Sequence, residues 1–184
     1  LLNGSAVLNS EFLIPSLTKS DHVWVRGEVV GKVEKTLGFL SQTPLNHLVA
    51  PLVDQFTVQG ENHLLLDMKL PIVLAADAHV NGVARLTDTS LALSSANFVV
   101  QKIHGELGFS EQGLYTTDVP LKGEALGFPV SAEVENLSQA TQVFLKGYAD
   151  VNHLDAFFPS KGWSLLKGGA DYQLTIAIPK EQLK

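Results

Sequence analysis

Cysteine is missing from this chain of 184 residues. Its absence excludes disulfide bonds, cysteine-ligated zinc and thiol catalysis. It does not fix the redox compartment, because a chain without thiols tolerates oxidising and reducing conditions alike. Charged residues are also scarce, at 17% of the chain, against about 25% in an average soluble domain. Low charge combined with many short apolar runs predicts extensive sheet rather than charged helices.

Clustered positive charge is lacking as well. The formal net charge is -6, and no run of Lys or Arg occurs. Binding to nucleic acid requires clustered cations that neutralise phosphates, and attraction to an anionic membrane surface has the same requirement. We therefore expect no nucleic-acid partner and no electrostatic attachment to a membrane.

Long apolar runs are absent too. No stretch reaches the roughly 18 apolar residues that a membrane-spanning helix needs, and the sequence shows no signal-peptide pattern. The sequence begins at Leu1 rather than at an initiator Met. We expect a processed chain or a section of a longer protein, with any targeting segment or anchor outside it.

Motifs for catalysis and metal binding do not occur either. The histidines are not spaced like metal ligands, and there is no G-x-S-x-G, Walker or G-x-G-x-x-G pattern. The paired carboxylates of a glycan hydrolase cannot be placed. We therefore expect a protein that is not an enzyme and that needs no metal or cofactor, with its histidines solvated on the polar sides of strands.

Alternation of apolar and polar residues is what the sequence does contain. Across 78–135, short alternating runs are separated by Gly, Asn, Asp and Ser, which is typical of antiparallel strands with one buried face. Within this stretch, 88–90 predicts a turn, 110–113 predicts a hairpin with Gly113 in a left-handed conformation, and Pro129 predicts an edge strand or a bulge. The predicted fold class is mainly β, an antiparallel meander with one continuous apolar face.

One segment follows the helical period instead. Its apolar residues recur at i, i+3, i+4, i+7, i+8 and i+11, and they are Leu45, Leu48, Val49, Leu52, Val53 and Phe56. Thr43 suits the N-cap and Pro44 the first helical position. Because a proline inside a helix costs about 3 kcal/mol, Pro51 predicts a kink, or two short helices that meet near 47–51. A turn over 37–40 is expected before this helix.

The amount of apolar strand surface is the most informative feature. A helix of about 12 residues is only about 18 Å long and cannot cover a sheet of about eight strands. Either the sheet bends into a groove whose apolar face stays partly open, or it closes on itself as a β-sandwich. An open apolar face beyond a few hundred Å² marks a site for a partner, such as an acyl chain. The candidate groove residues are Leu64, Leu66, Met68, Ile103, Leu107, Phe109, Leu126, Phe128, Val130, Tyr172, Leu174 and Ile176.

An internal similarity suggests a repeated unit. V-W-V-R-G at 23–27 matches V-F-L-K-G at 143–147, and each leads through a Leu- and Phe-rich segment to a strand closed by Pro. This predicts repeated units at about 22–71 and 142–179, within a single β-rich domain over 1–184 or a fragment of a longer repetitive β protein. The open edges of a sheet cut from a longer one also predict dimers.

A few longer motifs resemble a known family. They are V-N-G-V-A-R-L-T-D-T-S-L-A-L from Val80, G-E-L-G-F-S-E-Q-G-L from Gly105, L-S-Q-T-P-L-N-H-L-V-A-P-L from Leu40 and L-G-F-P-V-S-A-E-V from Leu126. Together they resemble the AsmA-like proteins of Gram-negative envelopes. Within that family the YhdP group is the most similar and TamB is more distant. The resemblance covers residues 22–179.

The resemblance implies a function. AsmA-like proteins are anchored in the inner membrane by an N-terminal helix, extend across the periplasm as long bent β-sheets with an apolar groove, and are implicated in moving phospholipid towards the outer membrane. The resemblance implies a periplasmic segment that supports the outer-membrane permeability barrier, with phospholipid acyl chains and neighbouring segments of the parent chain as partners. The alternative is a structural or protein-interaction β-sandwich module of an envelope protein.

Overall fold

The part of the chain that the structure describes folds into one sheet and two short helices. The computed structural model of the chain describes residues 6–14, 21–42, 46–72, 78–94, 98–137, 140–151 and 167–179. Among these residues the helices are α1 (Val33–Leu40) and α2 (Asn46–Gln55). The strands are β1 (Ala6–Leu13), β2 (His22–Lys32), β3 (Phe56–Pro71), β4 (His79–Leu93), β5 (Phe98–Ser110), β6 (Gly113–Thr116), β7 (Leu121–Ala125), β8 (Phe128–Asn136), β9 (Ala140–Asp150) and β10 (Gly169–Pro179). The prediction of a mainly β fold is confirmed.

The strands form one open antiparallel sheet. From β1 to β5 and from β7 to β10 each strand pairs with the next along the chain, and β5 pairs with β7. β6 lies beside the far end of β5, because 107–110 of β5 pairs with β6 whereas 100–104 pairs with β7. β1 and β10 are the edges of the described sheet. The predicted meander is confirmed, and the alternative of a closed β-sandwich is wrong as a fold.

Irregularities on three neighbouring strands bend this sheet. The strand register shifts at Gly60 in β3, around Thr89 in β4 and near Lys102 in β5. Gly60, Asp88 and Lys102 have φ angles of +136°, +48° and +50°. Bulges of this kind increase local twist and curvature. The turn predicted at 88–90 is therefore wrong, because the tolerance of Asp for positive φ serves a bulge inside β4.

α2 ends earlier than the sequence predicts. It begins at Asn46, runs through position 51 and ends at Gln55, so Phe56 is the first residue of β3. Phe56 is buried on the inner side of β3, just as a residue on the apolar side of a helix would be. The helical spacing of apolar residues therefore extends past the end of α2 and does not reveal where the helix ends. The predicted cap residues Thr43 and Pro44, with Leu45, lie outside the described residues.

α1 is a helix where the sequence predicted only a turn over 37–40. The two helices are therefore separated by residues 41–45 rather than meeting near 47–51. One member of the predicted apolar stripe, Val53, is half exposed. Because α2 is one helix through position 51, the prediction that this segment divides into two short helices near 47–51 is wrong, and the other helix of the described residues, α1, lies where a turn was expected.

Two local predictions in the second half of the sheet had different outcomes. The hairpin is confirmed, since Ser110 pairs with Gly113, whose φ is +150°. Pro129, however, is not on an edge strand, because β8 lies between β7 and β9. Pro129 pairs with Glu124 of β7, whereas the ladder with β9 begins at Val130. The missing N–H of Pro129 therefore removes no hydrogen bond from that ladder.

The two candidate repeats share one described feature. β2 pairs antiparallel with β3, and β9 pairs antiparallel with β10, so each candidate unit encloses an intervening segment between two paired strands. In the first unit that segment contains α1 and α2. In the second unit residues 152–166 lie outside the described residues, so the repeat stays a prediction.

Candidate functional site

An apolar cavity lies on the inner face of the sheet. Its volume is about 200 Å³, and it is lined by residues of every strand from β3 to β10 and of both helices. Because β3 and β10 contribute to the same cavity and α2 contacts both strands, the sheet curls around it. An engineered apolar cavity of about 150 Å³ stays dry and binds benzene, so this inner cavity has room for part of a hydrocarbon chain.

A first apolar cluster lies beneath the helices. Its members are Leu40, Val49, Leu64, Leu66, Val80 and Phe109. Leu64 is only 1% exposed, and α1 and α2 contribute one member each. The ring of Phe109 lies directly over Gly82 of β4, its cross-strand partner, where a β-carbon would collide with it. The helices therefore pack on the inner face at β3, and their apolar residues join one cluster with those of β3, β4 and β5.

A second apolar cluster lies further along the sheet. Its members are Phe98, Val100, Ala125, Leu126, Val130, Leu145 and Ala149. Leu126 lies in the turn between β7 and β8 with a φ of +58°, which costs a residue with a β-carbon about 1–2 kcal/mol. Its side chain is buried, and burying a leucine contributes about 1.5–3 kcal/mol. Burial therefore offsets the strained turn.

The structure places the predicted groove residues in three settings. Those that line the inner cavity are Leu64, Ile103, Leu107, Phe109, Val130 and Ile176. Those that belong to or pack against the clusters without lining the cavity are Leu66, Met68, Leu126, Tyr172 and Leu174. Phe128 contacts the exposed Tyr148 edge to face, with ring centroids 5.2 Å apart. The structure thus brings half of the predicted set to one cavity and leaves Phe128 outside it.

Sequence reasoning missed the contribution of α1 to the cavity. Val33, Leu37 and Leu40 all line it. They are spaced by four and three residues, which is the helical period, so the signal was present in the sequence. It was overlooked because the run is short and follows a strand without a break.

Three buried polar residues line the inner cavity among these apolar side chains. The hydroxyl of Thr36 in α1 donates to the side-chain oxygen of Asn62 in β3, at 3.1 Å. The hydroxyl of Thr89, at 1% exposure, donates to the backbone carbonyl of Glu61 at 3.3 Å. Buried polar groups are stable where they are hydrogen-bonded. These bonds fasten α1 to the sheet and hold β4 to β3 at the bulge.

Tyr172 of β10 carries a polar atom in a different situation. Its hydroxyl oxygen is buried, and no group of the described residues lies within hydrogen-bonding distance. Tyr172 pairs with Gly147 of β9, and a β-carbon at Gly147 would lie 2.9 Å from the hydroxyl oxygen. Burial raises the pKa of Tyr172 above its usual value. The hydroxyl therefore keeps its proton and is available as a hydrogen-bond donor.

The opposite face of the sheet carries most of the charged residues and is crossed by ion pairs. Arg26 of β2 binds Asp67 of β3 at 3.0 Å, and Arg85 of β4 binds Glu106 of β5 at 2.7 Å. Further pairs on this outer face join Lys102 to Glu124 and Lys146 to Glu133. Because successive side chains in a strand point to opposite faces, the same alternation produces the apolar inner face and this charged outer face.

Within the described ranges, no three His, Asp or Glu side chains gather closely enough to hold a metal ion. No helix in the described part of the chain is long and apolar enough to span a membrane.

Comparison with known proteins identifies the family. The family model described as YhdP protein matches residues 2–184. The search of curated proteins found no match, and neither did the search of solved structures. YhdP and the other AsmA-like proteins are envelope proteins and are generally non-enzymatic. The resemblance noted in the sequence is confirmed, and the chain belongs to the YhdP family.

Proposed function

We propose that this chain is a non-enzymatic, periplasmic section of an intermembrane phospholipid-transport protein and holds acyl chains against the inner face of its sheet. The observation that carries the proposal is the inner cavity, in which side chains from β3 to β10 form a common apolar lining. A core evolved only for stability is packed with few voids larger than a water molecule. An apolar space of about 200 Å³ is better suited to holding hydrocarbon.

The size of the cavity favours weak, passing contact with the lipid. Burial of hydrocarbon contributes about 25 cal/mol per Å², so covering about 100 Å² of an acyl chain yields about 2.5 kcal/mol. Contact of this strength holds a chain without trapping it. A conduit needs this balance, because its cargo must enter favourably and still leave.

The family of the protein supports a proposal about its setting. We propose that the section lies in the periplasm, in a parent protein anchored in the inner membrane, and that it supports the outer-membrane permeability barrier. Phospholipid acyl chains are the proposed cargo, and neighbouring segments of the parent chain are the proposed protein partners. Membership of the YhdP family supports these proposals.

Native mass spectrometry of the chain purified from bacterial cells, with extraction of bound molecules, tests the proposal. We expect co-purified phospholipid in the wild type and its loss in Leu107→Asp and Ile176→Asp. Both residues line the inner cavity and are only partly buried, so a carboxylate there can stay hydrated while the chain folds. Leu65→Asp is the matched control, because Leu65 lies on the opposite face of β3 from Leu64.

Three results would count against the proposal. The first is a wild-type chain that carries no lipid. The second is retention of lipid by folded Leu107→Asp and Ile176→Asp. The third is loss of lipid in the Leu65→Asp control. Phe128→Asp tests how far the binding surface extends, because Phe128 does not line the cavity. Loss of lipid in this variant would show that the binding surface reaches beyond the inner cavity.

A second candidate function, a structural module that pairs with other segments, is favoured by the β1 edge. Every residue of β1 is exposed, and Phe12 is 71% exposed. An exposed edge strand with apolar side chains is a template for pairing with another strand. If β1 serves this role, Phe12→Lys lowers self-association in analytical ultracentrifugation and leaves lipid capture unchanged. Unchanged self-association would argue against pairing at β1.

A further inference from the structure

Tyr172 stands out among the polar residues of the inner face. The hydroxyls of Thr36 and Thr89 are bonded within the protein. The hydroxyl of Tyr172 is buried, and the described residues offer it no partner. A buried polar group without a hydrogen bond is costly, and each such group in a native structure requires an explanation, such as water or a ligand.

The position of Tyr172 relates it to the inner cavity. Tyr172, Leu174, Ile176 and Ile178 alternate along β10 and share its inner face, and the last two line the cavity. At about 3.3 Å per residue, Tyr172 and Ile176 lie about 13 Å apart. Leu174 lies between them and packs, like both of them, against the second cluster. A continuous row of packed apolar side chains therefore connects Tyr172 to the lining of the cavity.

Because Gly147 has no side chain, it leaves the space that the Tyr172 hydroxyl occupies. A β-carbon at this position would lie 2.9 Å from the hydroxyl oxygen and 3.0 Å from the ring carbon that bears it. The ring is therefore accommodated against β9 by a residue without a side chain. A phenol in these apolar surroundings offers one strong interaction, donation of its proton to an acceptor.

We propose that Tyr172 donates a hydrogen bond to the ester carbonyl oxygen of an acyl chain whose hydrocarbon runs along Leu174 into the inner cavity. This inference rests on the proposed function and adds to it the chemical class and the orientation of the ligand. An acyl ester has hydrogen-bond acceptors and no donors, so it complements a lone hydroxyl donor. Its hydrocarbon complements the row of apolar side chains.

The test uses two lysophospholipids that differ only in the linkage of their single chain. One carries an acyl ester, and the other carries an ether and lacks the carbonyl. Binding to the whole chain is measured by isothermal titration calorimetry at lipid concentrations below micelle formation. We expect the wild type to bind the ester about fivefold to tenfold more tightly, as one hydrogen bond provides, and Tyr172→Phe to bind both lipids alike.

Two further variants make the test specific. Tyr115→Phe is the matched control, because the Tyr115 ring also lies over a cross-strand glycine, Gly108, and it should keep the full ester preference. Gly147→Ala leaves the tyrosine in place but displaces its hydroxyl, so it should lower the preference. We expect Tyr172→Phe to unfold in urea at a midpoint equal to or above that of the wild type, because the variant removes a buried hydroxyl that has no hydrogen bond.

The outcomes separate the two proposals. If the wild type binds neither lysophospholipid, the proposed function fails. If the wild type binds both equally, or if Tyr172→Phe keeps the ester preference, only the role of Tyr172 is overturned. If free laurate binds in a way that depends on Tyr172 and no ester preference is seen, the proposed ester acceptor is also overturned, and a carboxylate is the group that Tyr172 binds.

Discussion

The two apolar clusters both contain alternating strand residues, but among the described residues only the first also contains residues of helices. The first cluster combines Leu40 of α1 and Val49 of α2 with strand residues such as Leu64 and Phe109. In the second cluster, as far as the described residues extend, every member comes from a strand or from the turn at Leu126. Apolar alternation alone therefore shows that a face is buried, but it does not show what lies against it.

The inner cavity lies between the two clusters. Leu40, Val49 and Leu64 of the first cluster line it, and so do Val130 and Leu145 of the second. Helical packing on one side and strand curvature on the other leave a space that neither fills. This arrangement is how a sheet of ordinary alternating strands acquires a candidate ligand site.

Truncation of a leucine in or against each apolar cluster should have the largest effect on the free energy of unfolding. Leu64→Ala is expected to lower the free energy of unfolding by about 2–5 kcal/mol, because Leu64 is fully buried and its loss leaves a cavity. Leu174→Ala should cost less than about 2 kcal/mol, because Leu174 is only partly buried against the second cluster. Urea denaturation monitored by circular dichroism measures both. Equal losses would show that the two regions are packed alike.

Two glycine substitutions should move stability in opposite directions. Gly82→Ala forces a β-carbon against the Phe109 ring and is expected to cost about 1–3 kcal/mol. Gly38→Ala in α1 meets open space, and alanine favours a helix by about 0.5–1 kcal/mol relative to glycine. Thermal and urea unfolding report both changes. Destabilisation by Gly38→Ala would contradict the placement of α1.

An ion pair on the outer face should matter less than either cluster. A double-mutant cycle of Arg85→Gln and Glu106→Gln is expected to give a coupling of about 0.2–1 kcal/mol, because the Arg85 side chain is half exposed. The coupling should shrink further in high salt, where exposed charges are screened. A coupling that does not respond to salt would show that the pair is shielded from solvent.

The smallest expected effect is the alkaline response of Tyr172. Burial raises the pKa of Tyr172 above 10.0, the ordinary value of a tyrosine. The folded state therefore holds this proton more tightly than the unfolded state. The resulting stability is present below about pH 10 and is lost as the pH rises further. Tyr172→Phe lacks this loss, so its stability should decline less than that of the wild type between about pH 8 and about pH 11. Parallel declines in urea denaturation would indicate that the hydroxyl is as well solvated as in the unfolded chain.

Much of the fold followed from local patterns. Alternation predicted the strands and the meander, and S-E-Q-G at 110–113 predicted a hairpin that the structure contains. The errors occurred where one local preference serves two structures. Asp88 accepts positive φ in a turn or in a bulge, and Phe56 continues an apolar period shared by α2 and β3. Pairing with a neighbouring strand decides such cases, and the local sequence does not contain that information.

The candidate site was predictable only in part, for a related reason. Period two identified Leu64, Leu107 and Ile176 as inner-face residues, and all of them line the cavity. It gave the same assignment to Phe128, which contacts Tyr148 instead. The share of α1 in the lining was not anticipated, because the position of a helix over a sheet depends on contacts between residues distant in the chain.

By itself the sequence determined the strand-rich class, the separation of an apolar face from a charged face, and membership of the YhdP family, because each of these is a property of residue order. The tertiary structure alone decided how neighbouring bulges bend the sheet, where the helices cover it, and that a cavity remains between the two clusters. It also decided that the Tyr172 hydroxyl is buried beside Gly147. These features depend on the register of strands and on packing across the sheet, which join residues that local patterns do not connect.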